Sequence, residues 1–333
     1  MDKPVKEEEI RQRSAFNHYL ELVREDVQTI FADRSCFVQI DCPACSSKNY
    51  RPQFEKLGFT YVLCQDCGTL FVNPCPPAQL LMDYYTQSRS ASFWVREFFQ
   101  PVAEARREKI FRPRAGYIRD TLTEKSNGVI GDIEAGFGLF LEELSNFWSA
   151  ARLIAIEPSA EMAVICRGKH LEVIPCAIEN VDGWDGQFDL LTAFELLEHL
   201  HSPGEFLKKA WHLLRPGGYL LLTTLNGEGF DIQVLWEKSK SVAPPHHLNF
   251  FNPRSLTMLL RANNFAVDKV DTPGKLDWDI VEGMYRNEGI DPGRFLRLIA
   301  ERAEQTTKSS LQAWISESGF SSHMRVMASK ITK

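Results

Sequence analysis

Residues 129–141 read Val-Ile-Gly-Asp-Ile-Glu-Ala-Gly-Phe-Gly-Leu-Phe-Leu. The apolar opening predicts a short buried strand, the glycines a tight turn, and Leu139-Phe-Leu the first turn of an apolar helix. Such a turn offers bare backbone at a helix N-terminus, where a nucleoside-bearing ligand can lie. A dinucleotide fingerprint requires Gly-x-Gly-x-x-Gly or Ala. Here Gly136-Phe-Gly138 is followed by Leu139, Phe140 and Leu141, so the third small residue is missing and helix packing takes its place. Glu157 lies 19 residues after Gly138, at the end of the next predicted strand. A carboxylate there accepts hydrogen bonds from both hydroxyls of a ribose.

Outward from this turn, strands and helices alternate. Strands are predicted at 129–133, 153–156, 171–174, 188–194 and 219–224, with helices over 138–147 and 203–214. Near-continuous apolar strands joined by helical crossovers imply an α/β, Rossmann-like, mostly parallel sheet with helices on both faces. Two later runs, 265–270 and 324–330, are placed to close the sheet as an antiparallel pair, with a mostly helical insertion over 271–322 between them. Upstream, residues 5–32 carry helical spacing, and 78–122 read as helical and aromatic (Phe93, Trp94, Phe98, Phe99), with breaks near Pro101 and Pro113. The division expected is an N-terminal helix (1–35), a cysteine module (36–77), a helical linker or lid (78–125) and an α/β domain (126–333).

The cysteine module has a chemistry of its own. Cys42-Pro-Ala-Cys45 and Cys64-Gln-Asp-Cys67 form two Cys-x-x-Cys pairs separated by 18 residues. Each pair places two sulfurs on one turn, and four thiolates fill the tetrahedral sphere of zinc, leaving no open position for catalysis. A structural zinc ribbon is expected. The chain of 333 residues has a net charge of −6 and 44% hydrophobic residues. That balance disfavours broad nucleic-acid binding, which needs a cationic surface. The basic run Arg106, Arg107, Lys109, Arg112 and Arg114 is read as a solvated helix face. No stretch has the roughly 20 apolar residues of a membrane span. The charged N-terminus has no apolar signal region, and a cytoplasmic protein is expected. The sequence does not reveal the oligomeric state.

Taken together, the run from 129 to about 270 resembles a class I S-adenosylmethionine-dependent methyltransferase. The matching pieces are Asp132-Ile-Glu-Ala-Gly-Phe-Gly138, Ile156-Glu-Pro158, Phe188-Asp-Leu-Leu-Thr-Ala-Phe-Glu-Leu-Leu-Glu-His-Leu200, Leu214-Arg-Pro-Gly-Gly-Tyr-Leu220 and Thr223-Thr-Leu-Asn226. The resemblance implies a seven-stranded sheet with its last strand antiparallel. It implies that Asp132, Gly136 and Gly138 line the methionine end of S-adenosylmethionine, that Glu157 meets the ribose, and that Ala177, Ile178 and Glu179 lie near the adenine. The ribbon looks like the one that precedes many bacterial members of this class, several of which act on sugars or natural-product precursors. That likeness suggests saccharide biosynthesis by analogy.

Glu134 stands where the family carries its first glycine. Its side chain either points away at little cost or enters the cofactor pocket. There it would oppose the cofactor's carboxylate or pair with its ammonium group. Glu195-Leu-Leu-Glu198-His199 follows the fourth strand. On one helical turn all three side chains converge, a set suited to Mg²⁺ or Mn²⁺. The pattern resembles the metal site of the ubiquinone-pathway O-methyltransferases. It also resembles that of small-RNA 3′-terminal 2′-O-methyltransferases, in which a further downstream histidine completes the site; His247 is the candidate here. Leu-Glu-His also recurs in family members without metal. In that case His199 or His247 serves as general base. The activity expected is O-methylation of a small-molecule or glycan hydroxyl, with Glu195 also on the cofactor side. Alternatives are C-methylation of a deoxysugar nucleotide, a non-catalytic binding role for the fold, and RNA methylation, which the acidic balance disfavours.

Overall fold

The computed structural model describes residues 6–331; the charged N-terminal start at 1–5 lies outside them. Eleven strands occur among the described residues: β1 (Tyr50–Lys56), β2 (Phe59–Cys64), β3 (Leu70–Val72), β4 (Val129–Ile133), β5 (Arg152–Ile156), β6 (Glu172–Ile174), β7 (Phe188–Phe194), β8 (Leu214–Leu225), β9 (Asn249–Phe250), β10 (Phe265–Asp271) and β11 (His323–Lys330). The chain divides into two compact units. One takes in the chain up to Ala103 with 225–255 and 271–324. The other comprises 104–224, 256–270 and the end from Arg325.

The first unit is built on the cysteine module. β1, β2, β3 and β9 form a four-stranded antiparallel sheet in that order. Helix Arg13–Ile30 buries Phe16, Tyr19, Val23 and Val27, which recur three and four residues apart and so share one face. These side chains join Phe31, Phe59, Tyr61, Leu70 and Tyr84 in one core, with Val242, Leu248 and Phe250 from far down the chain. Between β10 and β11 the chain forms helices Asp277–Glu288, Arg294–Arg302 and Gln305–Glu317, which belong with this unit.

The second unit carries the seven-stranded sheet, ordered β10-β11-β8-β7-β4-β5-β6. β4 pairs in parallel with β5 and β7, β5 with β6, and β7 with β8. β7 is buried along almost its whole length, as its unbroken apolar run requires. β4 needs its glycine: a Cβ at Gly131 would come within 2.7 Å of Leu191 and Phe188 side-chain atoms. The prolines expected to break the helical stretch are absorbed instead. Pro101 sits in a single 3₁₀ turn, Gln100–Val102, after the π-helical Trp94–Phe99. Pro113 sits in the first turn of helix Arg112–Thr121, after the π-helical Arg107–Phe111. A widened or tightened turn removes the need for the proline's missing N–H.

Candidate functional site

From β4 the chain runs to β5 and β6 on one side and then crosses to β7 on the other. The carboxyl ends of β4, β5 and β7 therefore flank a topological switch point, where open α/β sheets bind ligands. Each of these strands is followed at once by a glutamate. Glu134 N donates to Ile156 O at 2.8 Å, Glu157 N to Ile174 O at 3.0 Å and Glu195 N to Thr223 O at 2.9 Å, so each glutamate extends its ladder by one bond. The sheet thus places three carboxylates along one edge.

The turn after β4 has left-handed backbone at every second residue: Glu134 (φ 55°), Gly136 (φ 57°) and Gly138 (φ 69°). Glycine adopts this region freely, whereas a residue with a β-carbon is strained there. Glu134 thus occupies a backbone position made for glycine. Its side chain is solvent-accessible yet surrounded by protein, the situation of a group in a cleft. The surrounding protein, with the charges of Glu157 and Glu179, pushes its pKa up to about 8, a rise that the water reaching it tempers. Around Gly136 the space is open, its nearest neighbour to an added Cβ being Met162 Sδ at 4.0 Å. At Gly138 a Cβ would meet Leu171 at 2.7 Å and Cys166 Sγ at 3.2 Å.

Glu157 is 2% exposed and ties the turn to β5. Its Oε2 accepts from Gly136 N at 2.7 Å and its Oε1 from Ser159 N at 2.8 Å. Each carboxylate oxygen retains a second lone pair for a ligand hydroxyl. Asp132 lies inside β4, buried, and accepts from Thr192 Oγ1 at 2.6 Å. Burial pushes its pKa up to about 7 against the opposing effects of Thr192 and Arg114. Beyond β6, Ala177 precedes the 3₁₀ turn Ile178–Asn180. Ile178 is only 2% exposed and packs inward, while Ala177 is half-buried.

The turn after β7 differs from expectation. Glu198 and His199 share a single 3₁₀ turn, Leu197–His199. Glu195 stands outside it, with a left-handed φ of 52°. A strand that ends in a left-handed residue cannot continue as a helix, so the three side chains do not share one helical turn. Glu195 Oε1 accepts from Arg114 Nη2 at 2.8 Å and from Thr223 Oγ1 at 2.6 Å. Glu198 is buried and accepts from Thr224 Oγ1 at 2.7 Å. Burial, reinforced by Glu195, pushes its pKa up to about 8.

The sequence places Arg114 on a solvated helix face, and the structure corrects this. Its side chain is 14% exposed, its guanidinium lies 4.5 Å from the Phe194 ring centroid, and it faces Glu195, Asp132 and Glu198. Arg107 is likewise drawn in, onto Glu142 and Glu143. Cationic spacing along a helix does not reveal acceptors brought in by distant strand ends and helices.

In the first unit, His247 Nδ1 lies 2.5 Å from Ser241 O. A carbonyl only accepts, so Nδ1 bears a proton and donates it to this bond. The four cysteines converge, with ligand atoms within 4.8 Å of one another. Cys42 and Cys67 sulfurs are 3.5 Å apart and those of Cys45 and Cys64 3.6 Å. An ideal tetrahedron with Zn–S near 2.3 Å has sulfur–sulfur edges of about 3.8 Å, so the residues present fit zinc.

Comparison with known proteins adds the family. The profile of the family described as "Methyltransferase domain" matches residues 103–270. The ubiquinone biosynthesis O-methyltransferase of Xanthomonas euvesicatoria is 28% identical over 169 residues, covering 47% of this chain and 69% of that protein. The enzyme of the same name from Bradyrhizobium diazoefficiens is 32% identical over 130 residues, covering 34% of this chain and 50% of that protein. A crystal structure titled SAM-dependent methyltransferase, possible histamine N-methyltransferase, from Thermotoga maritima superposes with a TM-score of 0.44 at 22% identity, covering 69% of this chain and 96% of that one.

Proposed function

This chain belongs to the methyltransferase domain family, and we propose that it moves a methyl group from S-adenosylmethionine to a hydroxyl oxygen of a small molecule or glycan. The observation that carries this reading is the turn after β4: open backbone at Gly136, whose N–H is held by the Glu157 carboxylate at the switch point of the sheet. In this reading Asp132, Gly136 and Gly138 meet the methionine end of the cofactor, Glu157 the ribose, and Ala177 and Ile178 the adenine. The bound cofactor supplies an electrophilic sulfonium methyl. The protein's task is alignment of the acceptor and removal of its proton. His199 and His247 are the candidate bases. For His247 the hydrogen bond from Nδ1 to Ser241 O holds the ring in one orientation. The names of the curated relatives support oxygen as the acceptor atom.

Two metals complete the proposal. Zinc on Cys42, Cys45, Cys64 and Cys67 is structural. Mg²⁺ or Mn²⁺ at Glu198 and His199 would balance a buried carboxylate and lower the pKa of an acceptor hydroxyl. Glu195 is assigned to Arg114 rather than to the ion, because its Oε1 already accepts two hydrogen bonds.

The test has two arms. Calorimetry with S-adenosylhomocysteine should show binding by the wild-type chain and its loss in Glu157→Ala. Methyl-labelled S-adenosylmethionine should then be offered with phenols, vicinal diols and sugars, with and without Mg²⁺ or Mn²⁺. The product expected is a methyl ether. Absence of S-adenosylhomocysteine binding would mark a non-catalytic relative, and label on carbon would overturn the choice of oxygen.

A further inference from the structure

The segment 246–252 is laid along the cysteine ribbon and the helix Ala78–Gln87 that follows it. Tyr84 Oη lies 2.7 Å from His246 Nε2, and Tyr61 Oη donates to the His247 carbonyl at 2.7 Å. Val72 N donates to the Leu248 carbonyl at 2.9 Å, and Asn249 and Phe250 pair with Phe71 and Leu70 as the ribbon's outer strand. Asn252 Nδ2 donates to the carbonyl of Cys67, itself one of the four clustered cysteines, at 3.0 Å. Gly68 makes that last contact possible, since a Cβ there would come within 2.7 Å of Asn252 Nδ2. The joint is closely packed: Tyr61, Phe71, Tyr84 and Phe250 are fully buried. Buried hydrogen bonds of this kind define geometry, because each is costly to leave unmade.

We infer that the four-cysteine ribbon is the positioning platform of His247, with Tyr61, Tyr84 and Asn252 as its positioning residues. The knuckle Cys64–Cys67 sets the Asn252 end of the segment, Tyr84 sets the His246 end, and Tyr61 fixes the His247 backbone between them. The ribbon therefore fixes the place of an imidazole through backbone and buried side-chain contacts within its own unit. This inference rests on the reading of His247 as a base.

Its test needs no acceptor. Hydrogen exchange and ring ¹⁵N shifts are measured on the zinc-loaded full chain, on the same chain after chelation, and on Tyr61→Phe and Asn252→Ala. Exchange over 246–252 should quicken about tenfold in each altered state, while 129–157 stays protected as an internal control for folding. The His247 ring, assigned by comparison with His247→Ala, should lose its Nδ1–H signature. Unchanged exchange over 246–252 after chelation and in both variants would overturn the platform, as would a His247 tautomer unaffected by all three. Failure of the underlying reading looks different: in the methyl-transfer assay with phenols, vicinal diols and sugars, His247→Ala would then match the wild-type rate while exchange still reported the platform.

Discussion

Glu134 and Arg114 are the two residues on which the site turns. Glu134 holds a left-handed backbone (φ 55°) that costs a residue with a β-carbon about 1 kcal/mol, and it brings a carboxyl into the cleft. Glu134→Gly should raise stability by about that amount and tighten S-adenosylmethionine binding several-fold. The pH dependence follows from a pKa raised to about 8. The carboxyl holds its proton to higher pH than an ordinary glutamate and gains its charge as pH rises, so wild-type affinity should fall between about pH 5 and 9 relative to the glycine variant. Calorimetry across that range decides, and equal affinities throughout would remove Glu134 from the cofactor's surroundings. Arg114→Ala leaves Glu195 and Asp132 without their cation and should cost about 2–3 kcal/mol in urea unfolding. Arg114→Lys should recover only part of that, because an ammonium does not stack on Phe194 as a guanidinium does. The glycine turn and the glutamates that end the strands of the candidate site were legible in the sequence because turn chemistry and strand ends are local. Arg114 was not, since its partner Glu195 lies 81 residues away.

Among the elements, the turn after β4 and the ribbon carry the predictions. Gly138→Ala adds a β-carbon at φ 69° against Leu171 and Cys166. It should destabilise the chain by about 1–2 kcal/mol and weaken cofactor binding, read by thermal shift with S-adenosylhomocysteine. The ribbon should contain one zinc per chain by elemental analysis, and Cys64→Ser should abolish it. Full zinc retention in that variant would count against the four-cysteine site. The ribbon was legible from cysteine spacing alone, as were the five parallel strands from their apolar runs. β9 was not. Two residues in a histidine-rich loop carry no periodicity, and only the free edge of β3 makes them a strand.

For the whole molecule, buried carboxylates set the response to pH. Asp231 is fully buried, and neither of its oxygens has a hydrogen-bond partner among the described residues. Burial, with Asp277 beside it, pushes its pKa from 3.8 to about 7. The folded state therefore holds this proton more tightly than the unfolded state. The stabilisation is complete below pH 3.8 and is lost as pH rises to about 7. Asp231→Asn lacks this loss and should gain about 1–3 kcal/mol over wild type at pH 7.5, with little difference at pH 4. Denaturant titrations at the two pH values check it, and a gap independent of pH would contradict a raised Asp231 pKa. By itself the sequence determined the layered α/β architecture, the paired cysteine spacing and the carboxylates at the strand ends, because periodicity, cysteine pairing and turn chemistry act over a few residues. Tertiary structure alone decided which cation neutralises Glu195, that Glu195 leaves the Glu198–His199 turn, and that the ribbon's sheet is completed by residues 249–250. Those outcomes depend on groups far apart in the chain, which only the folded backbone brings within hydrogen-bond reach.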